Sequence, residues 1–182
     1  HKAVKSSELF DKKLDMYRVN GTLENESFEI GRAKAFSPGW LENGSIWLHM
    51  EYKYLLELLK NGLYKEYIDA FNKAGICYQP RERYKRSTFE NSSFILSSLN
   101  SDTKNHGRGY IARLSGATAE FIDMWTILSF GKKPFSYENN ELVFKPNPVL
   151  TKKLFTESES KAIINFDELN YKEFSLPKNT YT

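Results

Sequence analysis

The sequence predicts a mainly α fold that continues into a small β-domain, and two patterns carry this prediction. Apolar residues recur at helical spacing from Gly44 to Lys60 and again from Leu63 to Lys73. The Asn-Gly link between these segments is typical of a helix end, and its shortness predicts two antiparallel neighbours. After Gly131 prolines interrupt the chain and the apolar stretches become short, which favours strands.

The rest of the first 130 residues is less regular. Residues 1–28 are polar and contain one short amphipathic segment, from Ser7 to Met16, so we interpret them as a connector. Two further helices are expected, from Glu90 to Leu99 and from Thr118 to Phe130. The residues from Asn100 to Gly116 are expected to form the loop between them.

The C-terminal region is predicted to contain strands and no long helix. Ser136 to Phe144 predicts two short strands around Asn139-Asn140, because asparagine tolerates the positive φ angles that a tight hairpin turn requires. The chain is therefore expected to divide into a connector over residues 1–28, a helical region over 29–131 and a partial β-domain over 132–182.

Composition narrows the class of protein. The chain has 182 residues, of which 40% are hydrophobic and 15% aromatic, so it can bury a core and is not of the disordered type. Its net charge of +3 is mild and the basic residues are mixed with acidic ones, which does not indicate a nucleic-acid partner. A single cysteine excludes a disulfide framework and a multi-cysteine metal site. With no signal peptide and no long apolar run, we expect a cytoplasmic protein without a membrane partner.

The stretch from Asn105 to Phe121 has the residue types of an anion site. It places a histidine, two arginines, a hydroxyl and a glycine amide just before an apolar helix: His106, Arg108, Arg113, Ser115 and Gly116. The free N–H groups at a helix N-terminus attract phosphate or sulfate. The alternative is an ordinary capped helix start with solvated arginines, and these residues alone do not choose between the two.

Three segments together resemble the late part of the catalytic barrel of cellobiose phosphorylase-like inverting glycoside phosphorylases. They are Ile30–His49, Arg86–Phe94 and the His-Gly and Leu-Ser-Gly elements between Asn105 and Phe121. The most specific piece is the Glu-Asn-Gly-x-Ile-aromatic-x-His run at Glu42–His49. The family typically has aromatic-Leu-Thr-Gly-Thr-Ala-x-Trp where this chain has Arg113–Phe121, and that departure is similar to the 1,2-β-oligoglucan phosphorylase branch.

The resemblance implies a fold and an activity. Residues 29–131 would be the C-terminal portion of an (α/α)6 barrel, and 132–182 the start of a small β-sandwich domain. The activity would be cleavage of a β-glucoside, such as a β-1,2-oligoglucan, by inorganic phosphate with inversion, giving α-glucose 1-phosphate. Phosphate is then a co-substrate and no other cofactor is expected. Because the family's general acid lies upstream of the matching region, the resemblance also implies a missing N-terminal part of the same enzyme.

The same resemblance implies site residues. His106, Ser115 and the amide of Gly116 match the family's phosphate-binding positions, and Glu42 and Glu90 match carboxylates around its substrate cleft. Trp47 and His49 are additional sugar-site candidates, although both could instead be buried in a helix. His106 could instead cap its own loop. No catalytic residue and no metal ligand is assigned.

Two other functions remain open from the residues. A hydrolase or transglycosylase could use water or a sugar hydroxyl where phosphate would bind. A non-catalytic carbohydrate-binding protein would need only the sugar-contacting residues. Consumption of phosphate with formation of a sugar 1-phosphate would distinguish a phosphorylase from a hydrolase or transglycosylase.

Overall fold

The computed structural model describes residues 1–87, 91–112, 116–165 and 171–180, and the chain divides into two compact units. The first unit is His1–Ile127 and the second is Leu128–Thr182. The expected mainly α fold, with a portion of an (α/α)6 barrel, is wrong. The first unit is a mixed α/β unit in which short strands are interleaved with the helices along the chain.

The helices of the described residues are α1 (Lys2–Ser6), α2 (Leu48–Lys60), α3 (Tyr64–Ala74), α4 (Arg81–Tyr84) and α5 (Gly116–Phe130). The predicted helix pair is confirmed, since α2 and α3 are joined by three residues and contact each other. The predicted start of the first helix at Gly44 is wrong, because Ile46–Trp47 forms a β-strand and the helix begins at Leu48. One side of α2 is buried in the core by Leu48, Tyr52, Leu55, Leu56 and Leu59. The predicted fourth helix is also confirmed, with its start two residues earlier than expected.

A three-stranded antiparallel sheet lies at the centre of the first unit. Its order is β3 (Ile46–Trp47), β4 (Ser92–Ile95), β5 (Gly109–Ala112). The predicted helix from Glu90 to Leu99 is therefore wrong, and the expected loop before Gly116 contains a strand. The reason is burial: every residue of β4 is buried, so the segment has no exposed side from which a helical period could be distinguished.

A buried carboxylate connects the N-terminal segment to the sheet region. β1 (Phe10–Asp11) pairs with β2 (Met16–Tyr17), and Asp11 is fully buried. The Asp11 carboxylate accepts hydrogen bonds of 2.7 Å from both the backbone N–H and the hydroxyl of Ser98, and it forms an ion pair of 3.3 Å with Arg18. Burial alone would raise the pKa of Asp11, but the Ser98 bonds and the Arg18 charge outweigh it and lower that pKa.

A second buried carboxylate, on α2, is only half satisfied. Glu51 is 2% exposed; its Oε1 accepts a 2.9 Å hydrogen bond from the backbone N–H of Tyr17, while Oε2 has no partner among the described residues. Burial raises the pKa of Glu51 to about 8, and the nearby Asp11 charge adds to this rise. Near neutral pH this side chain is therefore largely a neutral acid.

The second unit consists, after the end of α5, of two separate β-hairpins in the residues that the structure describes. They are β6 (Phe135–Glu138) with β7 (Glu141–Phe144), and β8 (Ser160–Asn165) with β9 (Tyr171–Leu176). The predicted turn at Asn139-Asn140 is confirmed, since both residues have positive φ, at 50° and 65°. No α-helix occurs within the described part of 134–182. Two unconnected hairpins do not form the expected beginning of a β-sandwich.

The sheet leaves no room for a side chain at Gly109. A methyl group there would overlap the Ser92 hydroxyl and the ring of Tyr84, two buried groups held together by a 2.7 Å hydrogen bond. We expect Gly109→Ala to lower the free energy of unfolding by about 1–3 kcal/mol, measured by urea denaturation, because neither neighbour can move. Gly21→Ala is the matched control: its methyl group would meet only the exposed, movable side chain of Glu8. Equal effects at the two positions would contradict this packing argument.

Candidate functional site

Three aromatic side chains stand side by side across the central sheet. Trp47 of β3 pairs with Phe94 of β4, which in turn pairs with Tyr110 of β5. Ring centroids are 5.8 Å apart for the first pair and 5.5 Å for the second, whose planes are nearly parallel. Trp40 meets Phe94 and Tyr110 edge-on at 4.9 and 4.6 Å. We call Trp40, Trp47, Phe94 and Tyr110 the aromatic ladder.

The aromatic ladder is anchored in the core and open at its edges. Phe94 is fully buried, whereas Trp40, Trp47 and Tyr110 are half-buried. The indole N–H of Trp47 donates a 3.0 Å hydrogen bond to the Leu41 carbonyl, which fixes the orientation of that ring. Oriented, partly exposed aromatic rings offer flat apolar surface to the C–H side of a sugar ring.

Glu42 is two residues from Trp40 of the aromatic ladder in the chain. It follows Leu41, the residue whose carbonyl holds the Trp47 indole, and its Oε1 accepts a 2.7 Å hydrogen bond from the exposed Arg32 guanidinium. Its Oε2 is inaccessible to solvent and has no partner among the described residues. A carboxylate oriented by an arginine can accept hydrogen bonds from sugar hydroxyls.

His106 is held by both of its ring nitrogens. Nε2 is 2.7 Å from the Asn100 carbonyl, and Nδ1 is 2.9 Å from the Lys13 ammonium. Because the carbonyl can only accept and the ammonium can only donate, the arrangement fits a neutral ring with its proton on Nε2. These contacts match the alternative in which the histidine caps its own loop. They also bring a lysine from the N-terminal segment to that loop.

Two more cations, Lys85 and Arg108, approach Asn105, the residue that precedes His106. The Asn105 side-chain oxygen lies 3.0 Å from the Lys85 ammonium and 3.4 Å from an Arg108 guanidinium nitrogen. The Asn105 amide nitrogen donates to Asp102 at 2.6 Å, and this bond lowers the pKa of the Asp102 carboxyl. The Arg108 guanidinium also lies over the ring of Tyr110, 5.2 Å from its centroid. The loop from Asp102 to Arg108 therefore adjoins the aromatic ladder.

The predicted site residues are only partly covered by the described structure. Glu42 lies in the segment between Trp40 and Trp47, His106 lies in the loop before β5, and Gly116 begins α5. Glu90, Arg113 and Ser115 lie outside the described residues. The predicted convergence of His106, Ser115 and Gly116, and that of Glu42 with Glu90, thus remain predictions.

Sequence reasoning missed most of the ladder and two of the cations. Strand register places Phe94 between Trp47 and Tyr110, which could have been found only if β4 had been identified as a strand. Trp40 packs edge-on against Phe94 and Tyr110 from outside the strands. Lys13 and Lys85 come from segments distant in sequence and reach the loop through the fold.

No family model matches the chain, and no curated protein matches it. In the part of the chain that the structure describes, no helix has the length and apolar character to cross a bilayer.

Proposed function

We propose that the chain is part of a glycoside phosphorylase that cleaves a β-glucoside, such as a β-1,2-oligoglucan, with inorganic phosphate. The observation that carries the proposal is the aromatic ladder, whose Trp47 belongs to the same family-like run as Glu42 and has its indole fixed by the Leu41 carbonyl. The proposal rests on this site and on the sequence run, since a barrel is not the fold of this chain.

Phosphorolysis requires a nucleophile at the anomeric carbon and an acid that protonates the leaving oxygen. A phosphate oxygen attacks the anomeric carbon from the face opposite the leaving oxygen, the glycosidic bond breaks, and an acid protonates the released oxygen. One carboxylic acid suffices because phosphate replaces the activated water of a hydrolase. The proposal assigns that acid to no residue of this chain. It assigns sugar binding to Glu42 and Glu90, and phosphate binding to His106, Ser115 and the amide of Gly116.

The sugar-binding part of the proposal follows from the ladder. Trp47 and Tyr110 offer ring surface, and Glu42 offers its Oε1, which Arg32 orients, to a sugar hydroxyl. Such groups bind the glucoside before the bond breaks, so their loss raises KM for the glucoside more than KM for phosphate.

The test uses the enzyme produced from the complete open reading frame that contains this chain. With a β-1,2-oligoglucan and phosphate, we expect consumption of phosphate and release of α-glucose 1-phosphate. Glu42→Gln is expected to raise KM for the glucan about tenfold, because charged hydrogen bonds contribute about 1.5–3 kcal/mol. Glu57→Gln, an exposed change on α2, is the control and should leave both KM values unchanged.

Other products would overturn the proposal. Free glucose without phosphate consumption would identify a hydrolase, and a longer oligosaccharide would identify a transglycosylase. The 182-residue chain alone is expected to release no glucose 1-phosphate, because the proposal places no general acid in it.

A non-catalytic carbohydrate-binding role is the second candidate, and the aromatic ladder favours it specifically. The ladder and Glu42 lie within one unit and need no further residue to bind a glucan. Binding of the glucan by this chain, combined with no phosphate consumption by the complete protein, would establish this role in place of the first.

A further inference from the structure

The Asn-Gly pair that ends α2 takes no part in the proposed sugar site, and its surroundings favour a chemical change in the chain itself. We propose that Asn61-Gly62 is a modification site, at which the Asn61 side chain loses its amide nitrogen spontaneously and becomes a carboxylate. The inference is independent of the proposed function, because it uses neither the aromatic ladder nor Glu42.

The reaction needs only the chain and water. The backbone nitrogen of Gly62 attacks Cγ of Asn61, its proton passes to the side-chain amide nitrogen, and the Cγ–Nδ2 bond breaks to release ammonia. Water then opens the resulting five-membered succinimide at either carbonyl, which gives aspartate or isoaspartate. Glycine favours the attack because it carries no side chain that would hinder the approach of its nitrogen.

The local structure leaves Asn61 free to react. Asn61 is exposed, and a methyl group at Gly62 would meet no atom within 4 Å, so the link has room to rotate. The Asn61 amide nitrogen donates a 2.7 Å hydrogen bond to the Glu57 carbonyl, while its Oδ1 accepts none from the described residues. The Gly62 N–H donates to the Leu59 carbonyl at 3.1 Å. Both bonds lie in the last turn of α2, where helices fray.

The sequence contains two further Asn-Gly pairs, and the fold holds both of them. Asn20 is half-buried; its amide nitrogen donates to the Glu42 carbonyl and its Oδ1 accepts from the Gly44 N–H, both at 2.6 Å. Asn43 is only 2% exposed, and backbone groups at 2.7 and 3.2 Å hold both ends of its amide. The Gly44 nitrogen, which would have to attack Asn43, is occupied by its bond to Asn20. The fold therefore distinguishes Asn61 from two identical sequence motifs.

The product places a negative charge where α2 tolerates it least. A carboxylate at position 61 lies at the negative end of the helix dipole and four residues after the Glu57 carboxylate. We expect Asn61→Asp, which is the aspartate product, to lower the melting temperature by about 1–4 °C. Thermal denaturation measures this shift, and a melting temperature equal to that of the wild type would overturn the proposed cost to the helix.

Incubation of the folded 182-residue chain at mildly alkaline pH tests the site, with peptide mapping by mass spectrometry as the readout. We expect the peptide that contains Asn61 to change from amide to acid at least about tenfold faster than those that contain Asn20 or Asn43, because two side-chain hydrogen bonds must break at each of the latter. The same incubation in concentrated urea should bring the three rates together, since the three motifs then differ only in their neighbours.

Asn61→Gln is the matched variant. It keeps the amide at an exposed position, but attack by Gly62 would have to close a six-membered ring, so the slow formation of a more acidic species should disappear on ion-exchange chromatography. Three outcomes would overturn the inference: no conversion at Asn61, equal rates at the three pairs in the folded chain, or the same acidic species from Asn61→Gln.

Discussion

Asp11→Ala is expected to lower the free energy of unfolding by about 3–5 kcal/mol, the largest effect of any single substitution considered for this chain. The substitution leaves the guanidinium of Arg18, whose side chain is only 9% exposed, without its carboxylate. It also removes the acceptor of both Ser98 hydrogen bonds. Urea denaturation at neutral pH measures the change.

The control lies four residues further along the chain. Asp15 forms an ion pair with Lys73 in which both side chains are more than half exposed. Asp15→Asn should therefore cost no more than about 1 kcal/mol, since asparagine tolerates the positive φ of 56° at this position. Comparable losses for the two variants would show that burial of the Asp11–Arg18 ion pair does not increase its contribution to the free energy of unfolding.

The same carboxylate predicts an acid-dependent loss of stability. Its folded-state pKa is lowered below the ordinary value of 3.8, so its contribution is fully present above that pH. The contribution is lost as pH falls through the lower folded-state value. The stability difference between the wild type and Asp11→Ala should accordingly shrink below pH 3.8.

Glu51→Gln is expected to stabilise the protein at alkaline pH. The folded-state pKa of Glu51 is about 8 against an ordinary value of 4.5, because burial penalises its charged form. Below pH 4.5 the acid is neutral in both states and the variant should match the wild type. As pH rises from 4.5 to 8 the wild type loses stability that the uncharged amide keeps, and above 8 the difference reaches several kcal/mol.

Denaturation curves at pH 4 and pH 9 measure this difference. Glu57→Gln is the matched control on the same helix, since its side chain is 61% exposed and should show no such pH dependence. A variant less stable than the wild type at pH 9 would mean that Glu51 is stabilised as an anion, by a partner that its Oε2 lacks in the structure.

The elements predicted correctly from sequence are those whose pattern is local. α2 and α3 each alternate buried and exposed residues within a few turns, and the Asn139-Asn140 turn is specified by two residues. β4 could not be distinguished in this way, because residues 92–97 are all buried and a uniformly buried run has no period.

Burial within the N-terminal segment could not be predicted from sequence for a different reason. Hydropathy treats an aspartate as a surface residue, yet Asp11 is fully buried because donors 87 residues away satisfy it. The candidate site depends on similarly distant pairings: Trp47 and Tyr110 each pair with Phe94 through strand register, and Lys13 contacts His106 through the fold. Glu42 is predicted from a signal within eight consecutive residues, and its role in sugar binding stays a prediction.

The bond between Asp11 and Ser98 also sets an order of events during synthesis. Asp11 leaves the ribosome long before Ser98 does, and until then its carboxylate must stay hydrated. The α2–α3 hairpin closes over a few residues and can form while translation continues, whereas the first unit cannot complete its core until the chain has been made through β5. Slow elongation between α3 and β4 would therefore prolong a state in which the α2 apolar face is formed but uncovered.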